Sequence, residues 1–229
     1  MKKLLLILAL LSVSLAPAFA LFEDSSIDKS HKVQQKISEI AFKLLNGSRV
    51  DKIIPVHYHP DKKNINAYAW KYGTTFVIIP KGIVRFFESD DEMAAIIAHE
   101  LSHGITISEG FSKRFAMNLN PKKYEYQADK MGIDLMVNAG YNPVAMIVAF
   151  TKFAPQEFYD IFSTHPKTSK RLATMYAYIY TKYPQYLANN AYKDNVYYQN
   201  FLLTSKENRK NFEQKAEYSK GGTVNVRFK

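Results

Sequence analysis

The feature that most constrains this chain is the run His99-Glu100-Leu101-Ser102-His103. Four residues apart on an α-helix, the two histidines share one face with Cβ atoms about 6 Å apart, so both imidazoles can reach a single ion. Glu100 lies one step round the helix, beside such an ion rather than on it. There a carboxylate can take a proton from a zinc-bound water and pass it to a leaving amine. Ala94, Ala95, Ile96, Ile97, Ala98 and Leu101 surround the pair with apolar side chains, which predicts a buried helix able to hold its histidines still. With six histidines in 229 residues, the pattern arises by accident in on the order of one chain in a hundred. Two unrelated histidines are therefore a poor explanation.

A catalytic zinc takes three protein ligands and keeps one position open, so a further His, Asp or Glu is expected on a neighbouring element. Glu125 in Tyr124-Glu125-Tyr126-Gln127-Ala128-Asp129 fits, because Asp129 follows four residues later on the same helix face. Glu125 can ligate while Asp129 accepts a hydrogen bond from a ligand histidine and fixes its tautomer. On spacing alone the two acids read equally well as the surface edge of an amphipathic helix.

The rest of the chain organises around this helix. Residues 28 to 45 place Val33, Ile37, Ile40, Ala41 and Leu44 on a helical period that Asn46-Gly47 ends. Three β-type stretches follow, Lys52 to Tyr58, Ile65 to Trp70 and Thr75 to Ile79, and Pro55 demotes the first to an edge or a bulge. Ser89-Asp90-Asp91-Glu92 is a capping box that opens the histidine helix. Residues 107 to 120 read as a loop. Helices are expected over Pro121 to Ala139, from Asn142-Pro143 onward, and after His165-Pro166 with Leu172, Met175, Tyr176 and Ile179 on one face. A helix from Ser205 to Tyr218 and a strand from Thr223 to Phe228 close the chain. One helix, a few strands and then several helices indicate an α+β domain, mainly helical, with a small sheet.

Taken in order, the quoted pieces resemble metallopeptidase family forty-eight, the group that contains the CAAX prenyl proteases, the membrane protease HtpX and the periplasmic BepA-like peptidases. Besides the two acid and histidine motifs, Asn66-Ala67-Tyr68-Ala69, Ala139-Gly140-Tyr141-Asn142-Pro143 and Thr164-His165-Pro166 with Arg171 all resemble family segments, over roughly residues 30 to 180. The resemblance implies a zincin-like (gluzincin) domain over residues 21–183 with one zinc ion per subunit. It implies His99, His103 and Glu125 as ligands, Glu100 as general base and Asp129 behind the ligands. Without multiple membrane spans, the chain resembles the soluble exported branch. Where the family continues from its Asn-Ala segment into a Pro-Gly-Gly turn, this chain reads Trp70-Lys71-Tyr72-Gly73-Thr74-Thr75, so the substrate edge is expected to differ in shape.

Four residues take weaker expectations. Arg171 is a candidate to stabilise the oxyanion of a tetrahedral intermediate, and His165 to close over the metal or bind substrate. Their plainer readings are an arginine on a solvated face and a loop histidine before a helix. Asn66 and Ala67 are candidates to edge the cleft, where a strand can pair with an extended peptide. His57 and His59 share a strand face but lack a third ligand, so they read as surface histidines.

Lys2 and Lys3, the apolar run Leu4 to Leu15 and Ala18-Phe19-Ala20 have the form of a cleavable export signal over residues 1–20. The chain contains no cysteine, which excludes disulfides, thiol catalysis and lipidation on cysteine. The net charge of +10 is spread without any run of five or six like charges, so nucleic acid is not an expected partner. The expected function is that of an exported, periplasmic or secreted zinc metalloendopeptidase. Its expected substrates are unfolded or misassembled proteins of the cell envelope, with peripheral contact to the envelope membrane. The rival readings are a latent module whose zinc is blocked by His165, and a cationic envelope-binding protein with structural zinc. Residues 184–229 read as an extension of unassigned role.

Overall fold

The computed structural model describes residues 25–153 and 168–210. In chain order its elements are α1 Ser25–Gly47, β1 Val56–His59, β2 Tyr68–Tyr72, β3 Thr74–Pro80, α2 Lys81–Val84, α3 Asp90–Ser108, α4 Phe111–Leu119, α5 Pro121–Asn138, α6 Val144–Phe153, α7 Thr168–Lys182, α8 Gln185–Ala188 and α9 Val196–Thr204. The architecture is mainly helical with one three-stranded sheet, as the α+β reading expects. The export signal and the closing strand lie outside the described residues, and of the helix expected from Ser205 only residues 205–210 fall within them, with 206–210 helical.

Ser89 starts the central helix, α3. Its hydroxyl accepts from the Glu92 N–H at 3.2 Å, and Asp90, Asp91 and Glu92 occupy the first turn, where the helix dipole favours negative charge. The return bond of the capping box lands one residue early, from the Glu88 N–H to Glu92 Oε2 at 3.1 Å. Every residue from Ala94 to Gly104 is buried, because α1, α5, α6 and the sheet pack around α3. A helix apolar on all sides can be stable only in such a position. Ile37, Ile40 and Leu44 of α1, Val77 and Ile79 of β3 and Ile133 and Met136 of α5 fill the space between these layers.

The sheet has strand order β1-β3-β2, with β1 parallel and β2 antiparallel to β3. β1 begins directly after Pro55, at a sheet edge, where a missing N–H costs no ladder bond. That edge is covered by Gln34 of α1, whose amide donates to the Val56 carbonyl at 2.9 Å and accepts from the Tyr58 N–H at 2.7 Å. One side-chain amide thus stands in for a neighbouring strand. β2 forms the other edge.

Two glycines shape how α5 meets α3. Gly140, at φ +80°, ends α5 in a Schellman motif: the Tyr141 N–H reaches the Met136 carbonyl at 2.8 Å and the Gly140 N–H reaches Val137 at 3.1 Å. Gly132 lies against the backbone of α3, where an added Cβ would sit 2.8 Å from Met146 Cε and 3.2 Å from the His99 nitrogen. The methionine end can swing aside; the backbone cannot. Gly132→Val is therefore expected to destabilise the fold by about 1–3 kcal/mol through overpacking. The check is a lower urea midpoint with an unchanged slope, and an unchanged midpoint would contradict this packing.

The structure corrects one sequence expectation here. Residues 107 to 120, read as a loop, complete α3 and then form α4 after a break at Gly110, φ +129°. Phe111–Leu119 contains no proline or glycine and several good helix formers, but buries none of its residues. Residues 184–210, read as an extension, add α8 and α9 to the same body: α9 packs on α6, with Phe201 fully buried.

Candidate metal centre

α3 presents His99 and His103 one turn apart, and their rings meet edge to face at 4.7 Å with the two Nε2 atoms 3.2 Å apart. α5 crosses this face and brings Glu125 to both: Oε1 is 3.1 Å from His103 Nε2, and Oε2 is 3.5 Å from His99 Nε2. One turn further along α5, Asp129 Oδ1 lies 3.0 Å from His99 Nδ1. A carboxylate there holds the proton on Nδ1 and leaves the Nε2 lone pair facing the cluster. All four side chains are buried.

Arg171 of α7 locks the two acids together. Its Nε and Nη2 donate to Asp129 at 2.8 and 2.6 Å, and Nη1 lies 2.9 Å from Glu125 Oε2. The guanidinium therefore faces the back of the cluster, engaged at all three nitrogens with carboxylates. This is not the solvated arginine of the plainer reading; the side chain is buried among the groups that hold the histidines. Phe150 of α6 packs against both His99 and Arg171, its ring 5.1 Å from that of His99 and 4.9 Å from Arg171 Cζ.

The donor set suits a divalent cation. One ring nitrogen from each of His99 and His103 and one carboxylate oxygen of Glu125 lie within 4.8 Å of one another. Of three buried carboxylates, Asp129 and Glu125 contact the buried Arg171 guanidinium, and Glu100 acts on it electrostatically. Buried charge is costly unless compensated, so a bound cation would relieve this crowding of acids. Two imidazoles and a carboxylate are a ligand set that zinc favours.

The charges express the same demand for a cation. Burial by itself lowers the pKa of His99, but hydrogen bonds with Asp129 and then Glu125 outweigh it and push the imidazole from 6.5 up to about 9. For Asp129, burial works upward, and the Arg171 guanidinium and His99 more than reverse it, holding the carboxyl below its usual range. Arg171 is driven still higher than its ordinary value, with burial opposed by Asp129 and Glu125. The sign for stability follows from His99. A group whose pKa is raised on folding stabilises fully below its unfolded value and loses that contribution as pH climbs through its folded value. Protein stripped of metal by a chelator is therefore expected to lose stability between pH 6.5 and about 9. A divalent metal held there would compete with that proton and flatten the loss. Urea midpoints across this window check it, and a stripped protein equally stable at both ends would contradict it.

Of the residues singled out in the sequence, the structure brings together His99, His103, Glu125, Asp129 and Arg171, with Glu100 buried on the same helix and its charge felt at Arg171. His165 lies outside the described residues. Asn66 and Ala67 immediately precede β2, the first exposed and the second buried, and β2 packs on α3. His57 and His59 stand on β1 and join no metal-holding group among the described residues. Phe150 and Gly132 were not found by sequence reasoning. Phe150 sits in an apolar run without a motif, and the need for a glycine at 132 appears only once α5 is laid on α3.

Comparison with known proteins gives a matching picture. The sequence profile of Peptidase family M48 matches residues 28–108 and 104–179. The mitochondrial metalloendopeptidase OMA1 of Arabidopsis thaliana is 25% identical over 179 residues, covering 65% of this chain and 35% of the relative. The chain thus spans about a third of the length of that curated relative.

Proposed function

Because the chain belongs to Peptidase family M48, we propose that it is a zinc-dependent metalloendopeptidase. The observation that carries this reading is the convergence of His99, His103 and Glu125 on one point, with Glu100 next along the same helix. The name of the plant relative, a metalloendopeptidase, supports cleavage within chains.

His99, His103 and Glu125 would hold the zinc. When bound, zinc supplies a Lewis acid that polarises the scissile carbonyl and acidifies the attacking water. Glu100 accepts that water's proton and delivers it to the departing amine nitrogen, so that one carboxylate serves as base and then as acid. Asp129 keeps His99 in one tautomer. Arg171 is a positioning residue: it neutralises Asp129 and Glu125 and fixes the angle between α5 and α7. The edge strand β2, with Asn66 and Ala67 just before it, offers backbone groups to an extended peptide. A substrate-binding role for His165 is part of the same proposal.

The substrates we propose are unfolded or misassembled proteins of the cell envelope, because only an extended segment can lie along a strand edge. The envelope setting rests on the charged and then apolar pattern of residues 2–20. Casein digestion tests the chemistry. The purified protein is expected to digest casein, to stop when phenanthroline removes its metal, and to recover with added zinc. Digestion that continues at full rate in the stripped protein would rule out the metal mechanism.

A further inference from the structure

α4 breaks the usual rule for a surface helix. Phe111, Phe115 and Leu119 recur every four residues and fall within an arc of about 80°, yet they are 73%, 54% and 70% exposed. The half-buried residues, Ala116 and Met117, lie on the opposite side. The apolar stripe of this helix therefore points away from the body of the protein, and the Phe111 and Phe115 rings stack on each other at 6.3 Å. Exposed apolar ridges of this kind mark a surface that something else covers.

The charge around the ridge identifies the cover. Residues 110–124 contain Lys113, Arg114, Lys122 and Lys123 and no acid. The adjoining Glu109 pairs with Lys113 at 3.4 Å, and Arg114, Lys122 and Lys123 are all exposed. A two-fold contact with a second copy would set these cations against their own counterparts. A ridge that stands proud also lacks the groove a peptide needs. A planar anionic surface with an apolar interior meets both features, since basic side chains reach lipid phosphates while aromatic and leucine side chains enter the acyl boundary. Among the described residues no helix is long and apolar enough to cross a membrane, so such contact would be peripheral.

We propose that α4 docks this protein on an anionic lipid bilayer, inserting Phe111, Phe115 and Leu119 with Arg114, Lys122 and Lys123 on the lipid phosphates. Because α4 links α3 to α5, docking places the metal-holding helices beside the membrane surface. The proposal does not depend on peptidase activity.

The test uses the full chain and flotation with vesicles of phosphatidylcholine alone or mixed with phosphatidylglycerol. The native protein is expected to float with the mixed vesicles, and less so in high salt. The triple variant Phe111→Ser/Phe115→Ser/Leu119→Ser should bind about tenfold more weakly or worse. Arg114→Glu/Lys122→Glu should lose the preference for phosphatidylglycerol. All are expected to keep the native circular dichroism and casein digestion in the absence of vesicles. The absence of cysteine permits a site-specific control. A fluorophore sensitive to polarity, placed through Ser112→Cys beside the ridge, should shift to the blue on mixed vesicles, while the same label at Gln35→Cys on α1 should not. Equal flotation of native and triple variant, or no shift at Ser112→Cys, would overturn the proposal. A dimer dispersed by the triple variant, or loss of casein digestion in that variant without vesicles, would overturn it in favour of a second copy or of substrate.

Discussion

Glu100→Gln is expected to lower kcat/KM for a protein substrate by ~10²–10⁴-fold, the usual worth of a general acid–base group, while zinc content stays at the native level. The two effects separate because Glu100 follows His99 on α3 and is not among the three side chains that converge on the metal position. Glutamine preserves the shape of the side chain and removes its ability to accept and return a proton. The substitution also removes one of three buried acids whose charges act on a single guanidinium. Chelator-stripped Glu100→Gln is therefore not expected to be less stable than stripped native protein. Loss of zinc along with activity would instead place Glu100 among the ligands. Undiminished activity would remove it from the reaction.

The second large effect is expected at Arg171. Its guanidinium bridges Asp129 and Glu125 through contacts of 2.6 to 2.9 Å in a fully packed setting. Arg171→Met leaves two buried carboxylates without their cation, and breaking a buried pair in this way costs roughly 3–5 kcal/mol. Arg171→Lys should recover only part of the loss, because a single ammonium cannot span both carboxylates as the planar fork does. Denaturant unfolding of the stripped proteins measures the stability change. Kinetics distinguish positioning from direct catalysis. A positioning role predicts zinc affinity lower by ~10–100-fold, as for other groups that hold metal ligands, with activity largely restored at saturating zinc. An oxyanion role predicts a fall in kcat that zinc does not repair. The geometry favours the first outcome.

The parts of the fold that were legible in the sequence are those where local chemistry and packing agree. The Ser89 cap, the Asn46-Gly47 stop, Asn142-Pro143 and the apolar spacing of α1, α3 and α7 each specify a helix on their own. The pairing of Glu125 with Asp129 was legible as a spacing, but not the fact that both acids are buried, which depends on α5 crossing α3 at Gly132. α4 was read as a loop because Gly110 and Asn118 punctuate it and its apolar residues serve no core. Arg171 was legible as a candidate near the site, but its carboxylate contacts were not. Asp129, to which it donates, lies 42 residues earlier in the chain, a separation that no local pattern encodes. Phe201 joins the core through α6 in a stretch rich in Asn, Lys and Tyr, where periodicity is too weak to show which side is covered.

Zinc content by elemental mass spectrometry tests the metal centre most directly, comparing the native protein with Glu125→Ala and His103→Ala after exhaustive dialysis. One zinc per chain is expected in the native protein, and little or none in either variant, with native circular dichroism in all three. Full zinc occupancy in both variants would contradict the assignment, because the ion would then be held by residues other than those that meet between α3 and α5.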